Sequence, residues 1–269
     1  MTFTALVLAG SRGASDPVAA AAGMAQKCLV PAAGQPMLCR VLDTLLRSDS
    51  VGRIYVTLQH PEQIAADPEL QRRLASGRVH LLVGDRTPSL SVEAALAGIA
   101  EPYPMLVTTA DHPLLTPEVV EYFTRAALAA GADVAAGVTS SAVLLASYPG
   151  SQRTWLRFRD ERYSGANLFA LTRPAAASAV AFWRRVEADR KKPWRIARAF
   201  GWGSLLAYLL GRLTLDQAMR RVSRVMGCEA RAVALPFAEA AIDVDKPADL
   251  ELVESILARR AACASASRT

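Results

Sequence analysis

Three stretches of this chain carry residue types suited to phosphate and metal chemistry. VTTADHPLLTP (107–117) ends an apolar, strand-like run on Asp111, follows it with His112 and a proline, and then starts a helix. AIDVDKPADLELVESIL (241–257) repeats the device, with Asp243 and Asp245 ahead of the last helical pattern. QKCLVPAAGQPML (26–38) sets Lys27 before an apolar pair, a Gly-containing turn and a proline at a helix start. Mg²⁺ takes carboxylate oxygens together with phosphate oxygens and retained waters, so one or two aspartates suffice to hold it. A lysine adds a compact positive charge for phosphoryl oxygens. Each stretch also has a plainer explanation. Asp111 could mark a strand-to-helix turn, and Asp245 and Asp249 could simply start a helix, a cap being worth about 0.5–2 kcal/mol.

Three further loops add polar groups. LVLAGSRG (6–13) runs a strand into a small-residue turn whose backbone amides could approach a phosphate, although it matches neither GxGxxG nor the Walker pattern. GDRTPSLSVEAAL (84–96) offers Ser89 and Ser91 at a helix start, as ligand groups or as caps, without the residues of a capping box. YSGANLFAL (163–171) presents Gly165 and Asn167, the latter as a polar contact or as a turn residue entering a strand. Four scattered cysteines and three distant histidines (His60, His80, His112) show no zinc or disulfide spacing.

The elements that must position these residues alternate. Apolar β-type runs are predicted over 4–9, 54–58, 79–83 and 105–109, and amphipathic helices over 36–47, 68–76, 89–99 and 117–130. Met37, Leu38, Val41, Leu42, Leu45 and Leu46 recur at three- and four-residue spacing, giving the first long helix one apolar stripe. Strand–helix alternation with short connections implies a mostly parallel sheet covered on both faces, and such sheets bind ligands at the carboxyl ends of their strands. Beyond residue 132 the pattern loosens. Strands are expected over 132–138, 155–159, 167–171 and 230–235, a long helical region from 175 to about 225, a closing helix over 248–260, and a frayed tail over 261–269. One domain over 1–260 accounts for the chain, with a helical insert at about 186–225.

The 269 residues can bury a full core, and 52% apolar with 21% charged residues is an ordinary globular composition. No apolar run reaches the roughly 18–20 residues of a transmembrane helix. The first residues have no basic stretch before their short apolar run and read as a strand, so a cytoplasmic location is expected. Net charge is +6, but residues 184–225 alone hold eleven Arg or Lys against three Asp or Glu, leaving the remainder at −2. That asymmetry argues against a protein that coats nucleic acid and for a local anion-binding or membrane-surface face. Within it, Arg190, Lys191, Lys192, Arg195 and Arg198 precede an apolar patch around Leu205–Leu210. Three readings stand there: a subdomain packed on the sheet, a peripheral membrane contact through 190–212, or cations such as Lys191 and Arg195 for an acceptor phosphate.

Taken together, LVLAGSRG, QKCLVPAAGQPML, ADHPLLTPE and DVDKPADL resemble the signatures of the sugar-phosphate and cofactor nucleotidyltransferases, a superfamily that includes molybdenum-cofactor guanylyltransferases and CMP-sugar synthetases. Ser11 replaces the second glycine of the family's first loop, Gln26 the proline before the lysine, and Lys246 the usual threonine. The resemblance implies a three-layer α/β/α sandwich on a mostly parallel, Rossmann-like sheet of the glycosyltransferase-A type. It further implies an enzyme that moves an NMP from an NTP onto a phosphorylated small-molecule or lipid-linked acceptor, with Mg²⁺ as cofactor and release of pyrophosphate. By the same resemblance Lys27 and Arg12 act on the phosphates, while Leu8, Ala9, Gly10, Ser11, Gly13, Ser89 and Ser91 surround the nucleotide. Gly165 and Asn167 face the acceptor, and Asp111 and Asp245, the latter ending a strand before the last helix, hold the metal. Outside the shared motifs, Lys191 and Arg195 are acceptor candidates by charge alone, and Asp243, two residues before Asp245 on the same side of an extended strand, is a further metal candidate. A nucleotide-sugar glycosyltransferase and a non-catalytic nucleotide-binding adaptor at a membrane are the alternatives. The first would want Asp-x-Asp where this chain has Asp-His-Pro.

Overall fold

The computed structural model describes residues 1–10, 16–189 and 200–266. Among these, the expected alternation folds into an eight-stranded sheet ordered β10-β7-β9-β6-β1-β4-β5, with the short β8 paired to β9. The strands are β1 (Phe3–Leu8), β4 (Val51–Leu58), β5 (Val79–Val83), β6 (Met105–Thr109), β7 (Val134–Ser140), β8 (Leu156–Arg157), β9 (Arg162–Leu171) and β10 (Ala230–Ala234). A separate two-stranded ribbon, β2 (Pro31–Ala32) with β3 (Gln35–Pro36), follows the Lys27 turn. The β1–β4, β1–β6, β4–β5 and β7–β10 pairings are parallel, and β9 runs antiparallel between β6 and β7.

Alternation along the strands sorts the core into two layers. Ala5, Val7, Ile54 and Val56 pack on one face with Leu38, Leu42 and Leu45 of α2 (Met37–Arg47), Leu70 of α4 (Pro68–Leu74) and Phe123 of α6 (Pro117–Ala129). Leu6, Met105, Val107 and Leu171 pack on the other with Val92 of α5 (Pro88–Gly98), Val180 of α8 (Ala177–Ala188) and Val222 of helix Leu215–Met226. The result is the expected three-layer sandwich. A third cluster lies at the carboxyl edge, where Val18, Val30, Met37, Leu114 and Val244 meet Val253 and Ile256 of the closing helix Pro247–Ala266.

The first half follows the sequence expectation to within three residues at each boundary, the largest difference being β4, which begins at Val51; the second half departs from it. The helical region expected from 175 to about 225 contains three separate helices among the described residues: α8, Trp202–Leu209 and Leu215–Met226. Gly211 adopts a left-handed conformation at φ 62, and Thr214 with Gln217 forms a capping box that restarts the chain as a helix. The strand expected over 155–159 shrinks to Leu156–Arg157, and the one expected over 167–171 begins already at Arg162. The stretch before the last helix, expected as a strand ending on Asp245, pairs with no strand among the described residues. Its Val244 amide instead donates to the carbonyl of Asp111 at 2.9 Å. The closing helix passes the expected end at Arg260 and continues to Ala266.

Gly84, just after β5, owes its identity to a close approach. A Cβ there would stand 3.1 Å from the Leu58 backbone nitrogen and 3.2 Å from its carbonyl carbon. Backbone cannot yield as a side-chain tip does, so Gly84→Ala is expected to cost about 1–3 kcal/mol through overpacking. Urea unfolding measures this, and an unchanged midpoint would show that the β4 end can shift aside.

Candidate active site

Both aspartate-bearing turns reach the carboxyl edge of the sheet because the chain anchors them from behind. After β6, Leu114 and Leu115 are buried, the Leu115 carbonyl accepts from the Thr44 hydroxyl at 2.8 Å, and Thr116 caps α6 ahead of Pro117. Asp111 is thereby fixed two residues beyond the end of β6. Lys27 opens a single 3-10 turn, Lys27–Leu29, held down by the buried Cys28 and Val30. In the segment before the closing helix, Ile242 and Val244 point into the core, so Asp243 and Asp245 face the opposite way.

These three segments converge on one ammonium group. Lys27 Nζ lies 2.6 Å from Asp111 Oδ2 and 3.4 Å from Asp245 Oδ1. The Lys27 side chain is only 10% exposed, that of Asp111 22% and that of Asp245 63%, so the pair grades from interior to solvent. Burial alone would depress the pKa of Lys27. The charge and hydrogen bond of Asp111, then the charges of Asp245 and Asp16, outweigh it and hold the ammonium above its ordinary value. Asp16 is itself buried, capping α1 (Pro17–Ala21) through the Val18 and Ala19 amides.

A cleft of about 770 Å³ opens beside this cluster, within the size range of small-molecule sites. Leu8, Gly10, Ser91, Asn167, Lys27, Asp111 and Asp245 line it, so seven of the residues singled out from sequence share one cavity. Ser11, Arg12 and Gly13, and likewise Lys191 and Arg195, lie outside the described residues. Ala9 is buried, and its amide donates to the Thr57 carbonyl at 2.9 Å, extending the β1–β4 ladder. Gly165 pairs with Val138 inside β9 and does not line the cleft.

Ser89 and Ser91 part company. Neither caps α5: Thr87 does, accepting from the Leu90 amide, with Pro88 at the first turn. The Ser91 hydroxyl accepts from the Asp85 amide at 2.9 Å and holds the loop before the helix. Ser89 is fully buried and donates its hydroxyl to Glu187, a residue of α8 that sequence reasoning had left within the insert. Asp243 differs from the free metal candidate expected. Its Oδ1 accepts from Arg153 Nη1 at 2.8 Å and its Oδ2 from Asn167 Nδ2 at 2.8 Å. Burial, then the charges of Asp111 and Asp245, push its carboxyl above the usual range, against the pull of Arg153 and Asn167.

Asn167 can make this contact because β9 bulges beneath it. The register with β7 passes from Ala136–Phe169 to Val138–Gly165, so 166–168 stand opposite Gly137 alone. Asn167 takes φ 49 at that point, a left-handed conformation that Asn tolerates better than most residues. A Cβ on Gly137 would meet the Leu168 Cβ at 3.3 Å, which explains the glycine.

Several lining residues carried no sequence signal: Thr57 near the end of β4 and Gln59 just after it, and Phe169 with Trp183, whose rings stack at 6.4 Å and 29°. Phe169 alternates on its strand like any surface residue, and only the placement of α8 turns its position into a cleft wall.

The donor set suits a divalent cation. Asp111 Oδ1 is buried and has no hydrogen-bond partner, and four carboxylates (Asp111, Asp243, Asp245, Asp249) surround two cations, Lys27 and Arg153. Among the described residues, no three His, Cys, Asp or Glu side chains enclose a point by themselves. Mg²⁺ does not demand such a cage, since phosphate oxygens and waters complete its shell.

A cleft at the carboxyl ends of a mostly parallel sheet, with Lys27 between Asp111, just after β6, and Asp245, ahead of the last helix, gathers the residues that the nucleotidyltransferase resemblance singled out. The chain belongs to the MobA-like NTP transferase domain family, whose model matches residues 5–232. A hypothetical transferase from Thermus thermophilus superposes with a TM-score of 0.75 at 33% identity, covering 93% of this chain and all of that one. The 4-diphosphocytidyl-2C-methyl-D-erythritol synthase of Anaerococcus prevotii shares the fold at TM-score 0.59 and 13% identity, over 95% of this chain and 96% of its own. A CMP:2-keto-3-deoxy-manno-octonic acid synthetase complexed with CTP shares it at 0.55 and 14%, over 96% and 98%. No curated protein matches the chain. Family membership sets aside both the glycosyltransferase and the non-catalytic adaptor readings.

His112, beside Asp111, is not poised as a ligand. It is 1% exposed, neither ring nitrogen has a partner, and burial pushes its pKa down to about 4, so the ring is neutral near pH 7. Replacing an unpartnered buried polar group by an apolar one of similar size is neutral or favourable. His112→Leu is therefore expected to match or exceed the wild type in thermal unfolding and to keep its activity; a variant that folds but is inactive would give the imidazole a role in the reaction.

Proposed function

We propose that the enzyme transfers an NMP from an NTP to a phosphorylated acceptor in a Mg²⁺-dependent reaction that releases pyrophosphate. The observation that carries this reading is the convergence of Lys27, Asp111 and Asp245 from three distant parts of the chain on one edge of the cleft. An acceptor phosphate oxygen would attack the α-phosphorus in line, forming one P–O bond as the bond to the β-phosphate's bridging oxygen breaks; pyrophosphate leaves with that electron pair. A phosphate nucleophile is already ionised at neutral pH and asks for no general base. Asp111 and Asp245 would hold Mg²⁺, which when bound offsets negative charge on the α-phosphate. Lys27, kept protonated by its carboxylate neighbours, would turn its ammonium to the phosphate oxygens, where charge grows in the transition state. Catalysis would then rest on positioning and electrostatic stabilisation, with no covalent enzyme intermediate.

Several groups extend the same reading. The amides around Gly10 and the loop 84–91, with Ser91 holding its backbone, would flank the nucleotide, joined by Ser11, Arg12 and Gly13. Asn167 stands on the β9 side of the cleft, where the acceptor would enter, and Lys191 and Arg195 are proposed to meet its phosphate. Ser89, occupied by Glu187, would support the helix start without touching the nucleotide.

Pyrophosphate release from each of CTP, GTP, UTP and ATP with a panel of phosphorylated acceptors tests the proposal. Activity is expected to require Mg²⁺ and to fall about 100- to 1,000-fold in Lys27→Met, the range for removing one transition-state donor. It should vanish in Asp111→Asn, and a fully active Asp111→Asn enzyme would sink the mechanism.

A peripheral membrane contact is the second reading. On helix Trp202–Leu209 and just beyond it, Leu206, Leu209 and Leu210 are 58%, 70% and 55% exposed, close in sequence to the basic run at 190–198. No helix among the described residues is long and apolar enough to cross a membrane. Wild type is expected to float with vesicles containing anionic lipid and to lose flotation in Leu206→Ser/Leu209→Ser. Wild-type protein that stays at the bottom of the gradient removes the idea.

A further inference from the structure

Arg153 belongs to none of the motifs considered so far. It lies in the loop between α7 (Ser141–Ser147) and β8, its side chain is only 7% exposed, and it does not line the cleft. Such burial of a guanidinium is costly unless it is paired. Arg153 is paired twice: Nη1 donates to Asp243 Oδ1 at 2.8 Å and to the Asp243 carbonyl at 3.1 Å, and Nη2 donates to Asp249 Oδ1 at 2.9 Å. The other oxygen of Asp249 accepts from the backbone amides of Asp245 at 3.1 Å and Lys246 at 2.9 Å. The guanidinium thus grips the segment 243–249 at both ends, and the carboxylate of Asp249 passes that grip to the residue between them.

We infer that Arg153 is a positioning residue for the metal-binding carboxylates: by bridging Asp243 and Asp249 it fixes the backbone that presents Asp245 to Lys27 and Asp111. The inference rests on the nucleotidyltransferase mechanism proposed above. Its physical basis is charge crowding. Asp111, Asp243, Asp245 and Asp249 share one corner of the molecule, and Lys27 reaches only the first and third of them. Without a second cation behind the segment, Asp243 would repel Asp111 and Asp245 across a partly dehydrated gap, and the irregular chain at 242–246 has no sheet pairing to resist that force. A planar, two-pronged donor suits this place better than a lysine, because both nitrogens of the fork are used on different carboxylates. Asn167 completes the arrangement by taking the remaining oxygen of Asp243.

Arg153→Lys and Arg153→Met, with Arg73→Met as a control, test the inference. Arg73 is 11% exposed and paired with Asp43 and Glu69, so its loss perturbs a buried ion pair away from the site. Three quantities are measured: amide hydrogen exchange over 243–249 in the protein alone, Mn²⁺ binding by electron paramagnetic resonance with a non-hydrolysable NTP, and pyrophosphate release. In Arg153→Met, exchange at Asp245 and Lys246 should quicken and Mn²⁺ affinity should fall about 10- to 100-fold, the range for losing a group that orients metal ligands. The turnover number should fall while KM for the nucleotide moves less. Arg153→Lys, able to hold one carboxylate, should lie between wild type and Arg153→Met, and it decides the matter if Arg153→Met does not fold. Wild-type exchange and Mn²⁺ affinity in a folded Arg153 variant would overturn the inference, as would an equal loss of Mn²⁺ affinity in Arg73→Met. A fully active Asp111→Asn enzyme would instead strike at the mechanism itself, whatever the Arg153 variants do.

Discussion

Carboxylates gathered at low exposure repel one another, and a fold that collects them must supply positive charge at matching places. In this protein Lys27 stands in front of Asp111 and Asp245, and Arg153 stands behind Asp243 and Asp249. The segment carrying Asp243 and Asp245 has no strand partner among the described residues; its Val244 amide reaches the carbonyl of Asp111, just past β6, and the two cations hold its carboxylates. The rest of the sheet serves as a rigid abutment for this corner. Buried leucines behind Asp111 and the apolar cluster beneath the closing helix keep like charges from drifting apart.

The arrangement also sets the electrostatic character of the cleft. Among the described residues, carboxylates exceed cations around Lys27, a balance that favours a divalent cation. The same excess would repel a bare polyphosphate. Nucleotide and metal are therefore expected to be mutually dependent ligands, each compensating charge that the other finds unfavourable.

Where residue periodicity and turn chemistry were local, the sequence was readable. The stripe along α2, the Thr-Pro start of α6 and the strand alternation of the first half follow from contacts within a few residues, and they put Asp111 just past the end of β6, at the sheet's carboxyl edge. What the sequence hid was set by contacts between distant segments. Ser89 looks like a cap from its neighbours, but Glu187 lies 98 residues away and takes its hydroxyl. Asp243 alternates with Asp245 and looks equivalent to it, yet Arg153, 90 residues upstream, and Asn167 claim both its oxygens. Arg153 sits in a loop without periodicity, and the bulge that aims Asn167 depends on Gly137 in another strand. The helical region after 175 differs for another reason: helix propensity runs on through it, while among the described residues Gly201 and Gly211, both at positive φ, and one capping box break it.

The contact between Lys27 and Asp245 closes a separation of 218 residues. Strands β1, β4, β5 and β6 and most of the helices that cover them precede residue 130, and chains are built and begin folding from the amino end. Every strand of the sheet precedes residue 235, so the segment 243–249 is the last part of the charge cluster to be synthesised. The contact therefore spans nearly the whole described chain, and a fragment that ends before residue 245 lacks it however well its sheet is formed.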